Sequence, residues 1–295
     1  MEMTRRSFLL SGAAVAASTP ALAVGQAGAA LSAAQVVDRI KNKVGIPWLA
    51  ETVDRIVAGS PETRVRGIAT TMMATLEVLQ KAAASGKNMV ITHEPTFYSH
   101  QDTTDAFEKD PTFQFKRDFI ARHDIVVFHF HDHWHRMTPD GIATGMAREL
   151  GWEKQADPKS PRQFVFPATP LAQFARDMQA RLMVRSMRIV GDPKLPVTRI
   201  AASWGYASLM PGLINLAARP DIDLVIVGET REWELVEYVQ DQIASGAKKG
   251  LIVLNHVVSE QAGMKYCAEW LQPLIPEVPI EFVAASEPFW VPPAP

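Results

Sequence analysis

Two kinds of hydrophobic pattern alternate along most of the chain. Apolar residues follow one another in the segments 65–73, 88–92, 197–204 and 223–227, which is typical of buried strands. The segments between them place apolar residues three and four positions apart, which predicts helices with one buried face. Strands separated by helices favour mostly parallel sheets with right-handed crossovers. The sequence therefore predicts an α/β fold whose helices pack outside the sheets.

The two halves of this pattern resemble each other. VRGIATT at 65–71 parallels VTRIAAS at 197–203, and NMVITHE at 88–94 parallels DLVIVGE at 223–229. We interpret this as a duplicated α/β module with mostly parallel or mixed sheets, although two buried strands can also look alike by chance. The predicted divisions are a signal peptide at 1–23, a first module at 24–151, a connecting segment at 152–196, and a second module at 197–295 that completes one site.

The first residues have the pattern of an export signal. Twin arginines, Arg5 and Arg6, precede a short apolar stretch over Leu9–Ala17, and Ala21-Leu22-Ala23 is a small-x-small cleavage site. The apolar stretch is too short to span a membrane, which argues against a permanent anchor. We predict a mature chain that begins near Val24, reaches the periplasm by the twin-arginine route and has no membrane partner afterwards.

Composition narrows the possible partners. The 295 residues are 47% hydrophobic and 21% charged, with a formal net charge of −2. Because no basic patch or run stands out, the sequence predicts no nucleic-acid partner. Cys267 is the only cysteine, so an intrachain disulfide is excluded. A small-molecule substrate, of a kind that the sequence does not specify, fits this composition.

The segment VVFHFHDHWH at 126–135 concentrates residues that can bind a metal. It follows an apolar run and reads as a buried strand that ends in a polar cluster of His129, His131, Asp132, His133 and His135. Imidazole and carboxylate are the ligands that borderline divalent metals prefer. Strand alternation would place the four histidines on one side and the aspartate on the other. A buried histidine that is hydrogen-bonded in the core is the structural alternative for each.

Two further strand ends carry residues of the same kind. His93 and Glu94 end one predicted strand, and His256 follows another, with Glu260 four residues further on. That spacing lets an imidazole and a carboxylate at the start of a helix reach one ion. Sites in open α/β sheets form at the carboxyl ends of strands. We therefore predict that these strand ends meet in a metal site between the modules.

These motifs occur in the same order in one protein family. With ITHEP at 91–95, the histidine strand followed by Gly141, GETREWE at 228–234 and NHVVSE at 255–260, the chain resembles the NIF-three-like dinuclear-metal-centre family, whose members are often labelled GTP cyclohydrolase I type 2 homologues. The resemblance covers roughly residues 34–285. It implies metal ligands at His93, His256 and Glu260, two divalent ions (Zn, Fe, Mn or Ni) per subunit, and a homo-oligomer, most simply a hexamer.

The chain departs from the family pattern at three positions. Glu94 stands where the family usually has a second histidine, His135 where it usually has an aspartate, and Asn255 where it usually has a glycine. The first two changes leave the numbers of histidine and acidic ligands unchanged, so we predict that Glu94 and His135 are ligands too. His133 and Asp132 are alternatives to His135. A single ion or an altered metal preference is also consistent with the exchange.

The ligand set predicts a metal-dependent hydrolase that uses a metal-activated water. Glu229, at the end of a strand in the second half, is the candidate general base or the partner that orients a ligating histidine; an acid stabilised by a helix dipole is the alternative. His129 and His131 are expected either behind the ligands or in the core. The competing function is a non-catalytic periplasmic protein that binds a metal or a partner. A periplasmic address makes GTP a poor candidate substrate.

Overall fold

Two mixed β-sheets form the centre of the molecule, with helices packed outside them. The computed structural model describes residues 31–158 and 160–292. The predicted signal peptide, residues 1–23, lies outside that range. In the part of the chain described, no helix is long and apolar enough to cross a membrane.

The first sheet has five strands, in the order β1-β4-β3-β2-β11. Their bounds are β1 Ile56–Ala58, β2 Ile68–Met73, β3 Met89–Glu94, β4 Val126–His129 and β11 Ile280–Phe282. The second sheet has six strands, in the order β5-β6-β8-β9-β10-β7. Their bounds are β5 Ala156–Asp157, β6 Ser160–Pro170, β7 Arg188–Val190, β8 Pro196–Tyr206, β9 Leu224–Glu229 and β10 Gly250–Val253.

The helices begin where the sequence supplies a cap. Ser32 forms a capping box with Gln35, and the carboxylates of Asp110 and Asp140 each accept a hydrogen bond from the first turn of a helix. The α-helices are α1 Ala33–Lys43, α2 Leu76–Ala84, α3 Pro111–Arg122, α4 Asp132–Arg136, α5 Gly141–Leu150, α6 Leu171–Leu182, α7 Ile214–Ala217, α8 Glu237–Ala244 and α9 His256–Leu271. A 3-10 turn spans Asp105–Phe107, and π-helical turns over Leu209–Leu213 and Glu232–Val236 precede α7 and α8.

The two predicted modules are visible in the pairing of the strands. β2, β3 and β4 are parallel neighbours in chain order, and so are β8, β9 and β10. The helices that follow the two triplets, α5 and α9, cross at glycines. A Cβ on Gly145 would lie 2.5 Å from the Gly263 Cα, and a Cβ on Gly263 would lie 2.6 Å from the Ile142 Cα. This close crossing turns the carboxyl ends of both triplets towards each other.

The structure differs from the sequence prediction in two places. The predicted connecting segment 152–196 carries β5, β6, α6 and β7 of the second sheet, while β11 from the predicted second module pairs with β2 in the first. The histidine segment leaves the strand after His129 and becomes helical at Asp132, so its histidines do not share one side. Helical turns and strands assign different faces to the same spacing.

Candidate metal centre

Six side chains with ligand chemistry converge where the carboxyl ends of the two parallel triplets meet. The end of β3 supplies His93 and Glu94, the start of α4 supplies His131 and His135, and the first turn of α9 supplies His256 and Glu260. Both pairs on helical backbone are spaced by four residues, which places their side chains on one face. The predicted ligand set is therefore brought together, with His131 as an additional member.

Asn255 explains why α9 begins early enough to present His256. Its backbone has φ 81° and ψ 153°, a conformation that favours glycine, which is the residue that the resembled family usually has here. The Asn255 Oδ1 accepts a hydrogen bond from the Val258 N–H at 3.0 Å and caps the helix.

The ring nitrogens and carboxylate oxygens of the centre lie within a few ångströms of one another. His256 Nε2 is 3.0 Å from Glu260 Oε2 and 3.3 Å from Glu94 Oε1. His93 Nε2 is 3.2 Å from His135 Nε2 and 3.7 Å from Glu260 Oε2. Glu260 Oε1 is 3.7 Å from His135 Nε2. Glu260 thus faces histidines on both sides.

Each of the four histidines has its other ring nitrogen held by a partner. His93 Nδ1 lies 3.2 Å from the Phe130 carbonyl oxygen, a contact that requires the proton on Nδ1. The three remaining Nδ1 atoms each meet a carboxylate: His131 with Asp132 at 3.0 Å, His135 with Asp140 at 3.1 Å, and His256 with Glu229 at 3.3 Å. This arrangement orients metal-ligating histidines in proteins, because it leaves Nε2 free as the ligand atom.

The buried atoms of the centre fit a cation. Glu260 is 2% exposed, and its Oε2 has no hydrogen-bond donor among the described residues. The His93 and His135 Nε2 atoms face each other at 3.2 Å while the Nδ1 atoms meet the Phe130 carbonyl and Asp140, so in the neutral rings two lone pairs oppose each other until a proton or a metal cation lies between them. Three histidines (93, 131, 135), and His93 with Glu94 and Glu260, each have ligand atoms within 4.8 Å of one another.

The electrostatics of the centre keep the carboxylates ionised and shift the pKa values of His256 and His131 in opposite directions. Burial acts to raise the pKa of Glu260, but the neighbouring imidazoles prevail and hold the pKa well below its usual range. Burial acts to lower the pKa of His256, yet the three carboxylates around its ring, those of Glu229, Glu260 and Glu94, raise it to about 12. Burial, together with two neighbouring imidazoles, lowers the pKa of His131 to about 4. His131 is thus a neutral imidazole near neutral pH, the form that binds metals.

The other residues of the histidine segment point elsewhere. Both ring nitrogens of the buried His133 are engaged, Nδ1 with Asp54 at 2.6 Å and Nε2 with the Leu49 N–H at 3.0 Å. The ring stacks on Trp48 with centroids 3.7 Å apart, so His133 has a structural role. His129 is fully buried, with its Nδ1 3.1 Å from Asp102 Oδ2, and does not face the centre.

Some members of the centre were missed from the sequence. His131 was expected behind the ligands or in the core, although its spacing of four from His135 matches that of His256 and Glu260. Asp140, the partner of His135, was not predicted. The sequence can indicate that an aspartate caps a helix, but it does not indicate that the second carboxylate oxygen contacts a histidine. Glu229 lies where a partner for a ligating histidine was expected, with its side chain 53% exposed.

A cavity of about 1,400 Å³ opens onto the centre. Glu94, His131, His135, His256 and Glu260 form part of its lining, and Glu229 borders them. Apolar side chains form the walls, among them Leu76, Phe115, Trp204, Leu213 and Phe289. An apolar cavity with a few convergent polar groups is typical of a site for a small organic ligand.

Comparison with known proteins identifies relatives of the whole fold. The sequence profile of the Duf34/NIF3 (NGG1p interacting factor 3) family matches residues 32–288. The fold is similar to that of the Staphylococcus aureus hypothetical protein SA1388, with a TM-score of 0.69, 18% identity, and coverage of 88% of this chain and 99% of that one. A Bacillus cereus protein related to NIF3 gives a TM-score of 0.68 at 15% identity, covering 89% of this chain and 99% of that one. No curated protein matches the sequence significantly.

Proposed function

The chain belongs to the Duf34/NIF3 family, and from the geometry of its polar centre we propose that it is a metal-dependent hydrolase. One observation carries the proposal: the Nε2 atoms of four oriented histidines meet two buried carboxylates, one of which has an oxygen without a donor. The apolar cavity above this group supplies room for an organic substrate.

The side chains of the centre would act as metal ligands. The ligands would be His93, Glu94, His131, His135, His256 and Glu260. Bound divalent ions supply Lewis acidity, which activates water near neutral pH and polarises the bond to be cleaved. The position of Glu260 between His135 and His256 supports a bridging role and hence two ions. The partners of the histidine Nδ1 atoms fix the orientation of each ring, so that the side chains would need little rearrangement to bind a metal ion.

Glu229 is assigned as a positioning residue for His256. Its carboxylate is 3.3 Å from the His256 Nδ1 and also borders the cavity. The role of general base, which the sequence also allowed, requires the same carboxylate to give up this contact. For a positioning role, Glu229→Gln should weaken metal binding and turnover together, while a shift in the pH–rate profile alone would indicate a general base.

The function is tested by turnover of the metal-reconstituted protein. The protein is stripped, reconstituted separately with zinc, iron, manganese or nickel, and incubated with panels of phosphoesters, nucleotides and peptides. We expect metal-dependent turnover that Glu260→Gln abolishes. Glu269→Gln, an exposed site on the same helix, is the matched control and should keep it. Tight metal binding without turnover of any panel member would contradict the hydrolase and support the non-catalytic alternative.

We also propose that the protein is exported to the periplasm and forms a hexamer. Replacing Arg5 and Arg6 with lysine should retain the precursor in the cytoplasm, and continued export would refute the twin-arginine assignment. The hexamer rests on family resemblance, supported by the exposed Phe289 and Trp290, since aromatic residues are enriched at interfaces. Light scattering that gives a monomer across micromolar concentrations would refute it.

A further inference from the structure

We propose that the cavity binds an organic anion, with Arg162 receiving its phosphate or carboxylate group and the apolar walls receiving its body. The inference deepens the proposed function by naming the class of its ligand, and it rests on that function only for the location of the site. Arg162 lies on β6, borders the cavity and comes from the second sheet.

Arg162 is the exposed arginine of the cavity lining. The lining contains one other lysine or arginine, Lys116, which is 5% exposed and donates its Nζ to the Thr96 carbonyl oxygen at 2.5 Å. Its ammonium also lies 5.3 Å from the centroid of the Tyr98 ring. Arg162, in contrast, is exposed, and no hydrogen bond or ion pair joins it to the described part of the chain. An unpaired guanidinium on a cavity wall presents all of its donors to a ligand.

Four other arginines in the second half of the chain provide a comparison for Arg162. Arginines 188, 199, 219 and 231, on the second sheet and its connections, each pair with a carboxylate within 4.0 Å. The protein therefore has acids to pair with surface guanidinium groups, but none meets Arg162. Arg162 also borders the same cavity as His135, Glu94 and Glu260 of the centre.

The shape of the cavity decides between an inorganic and an organic anion. Its volume of about 1,400 Å³ is far more than a phosphate or sulfate ion fills. The walls are apolar and aromatic, including Leu76, Phe115 and Phe289, and such walls bind the body of a ligand. Guanidinium binds phosphate and carboxylate in a planar, two-point geometry. Anchored at Arg162, an organic anion would extend along the walls and over the centre.

Binding of simple probes tests the inference without any turnover. Titration calorimetry would compare phenylphosphonate, benzoate and neutral benzyl alcohol, with both metal-reconstituted and stripped protein. Arg162→Met should weaken binding of at least one anionic probe about tenfold or more. It should leave benzyl alcohol unchanged. Arg162→Lys should retain part of the affinity. The matched control is Arg122→Met, an exposed arginine outside the cavity lining, which should bind as the wild type does.

The outcomes separate this inference from the hydrolase proposal. Binding that depends on Arg162 in protein that turns over nothing would support the anion site and contradict the hydrolase. The relative loss for phosphonate and benzoate would show whether the site prefers phosphate or carboxylate. Equal anion binding by wild type and Arg162→Met would overturn the inference. So would an equal loss for benzyl alcohol, or no binding of either anion to the wild type.

Discussion

Asp140 offers a sharp test of the centre, because its two carboxylate oxygens have different partners. Oδ1 accepts the hydrogen bond from the Ala143 N–H at 3.0 Å that caps α5, and Oδ2 lies 3.1 Å from the His135 Nδ1. Asparagine is as good a helix cap as aspartate. Asp140→Asn can therefore keep the cap through its amide oxygen while its amide N–H group faces His135.

The consequence follows from the tautomer of the imidazole. An amide N–H beside Nδ1 favours the ring with its proton on Nε2, and a protonated Nε2 cannot bind a metal. Loss of such a partner weakens metal binding by about 10- to 100-fold, which is about 1.4–2.7 kcal/mol. The free energy of unfolding of the metal-free protein should change by less than about 0.5 kcal/mol, because the cap remains.

Two measurements check this reasoning. Competition with a chromogenic chelator gives the metal affinity, and urea unfolding of stripped protein gives the stability. Asp110→Asn is the matched control, because Asp110 caps α3 through the Phe113 N–H at 2.8 Å without contacting a histidine. Unchanged metal affinity in Asp140→Asn, or an equal loss in Asp110→Asn, would refute the assigned role of Asp140.

The remaining predictions concern the ligands and the start of α9. Glu260→Ala should lose most of the bound metal and His135→Ala about one ion per subunit, since a carboxylate between two ions serves both; mass spectrometry after dialysis measures this. His123→Ala, at the end of α3, should keep full occupancy, and a loss there would mean that the variants act through the fold. Asn255→Ala should lower the free energy of unfolding by about 1–2 kcal/mol, because alanine removes the cap and still has to adopt φ 81°. Asn255→Gly should destabilise less than Asn255→Ala in urea unfolding, because both lose the cap and the side-chain hydrogen bonds to Ser186 and Glu287 but only alanine carries the backbone cost; equal destabilisation by both would contradict that cost.

The sequence determined the order of elements and most of the side chains that meet in the candidate centre. Buried strands such as β3 and β9 can be recognised in the sequence as runs of apolar residues, because burial on both faces leaves few polar positions. The spacing of His256 and Glu260 fixes their common face on a helix, whatever the rest of the fold does. The α/β class and the similar parallel triplets were predicted on the same grounds and are confirmed.

Tertiary structure decided which histidines of the segment 126–135 face the centre. Strand alternation predicted that they share one side, but the chain turns into α4, so the period changes from two to about 3.6 residues. His131 and His135 then face His93, while His133 turns to Asp54. The contacts of His93 and His135 with Glu260, and of Glu94 with His256, join the two modules, which the close crossing of α5 and α9 holds together. The periodicity of hydrophobic residues indicates which positions of one helix or strand are buried. It does not indicate how the two modules pack against each other.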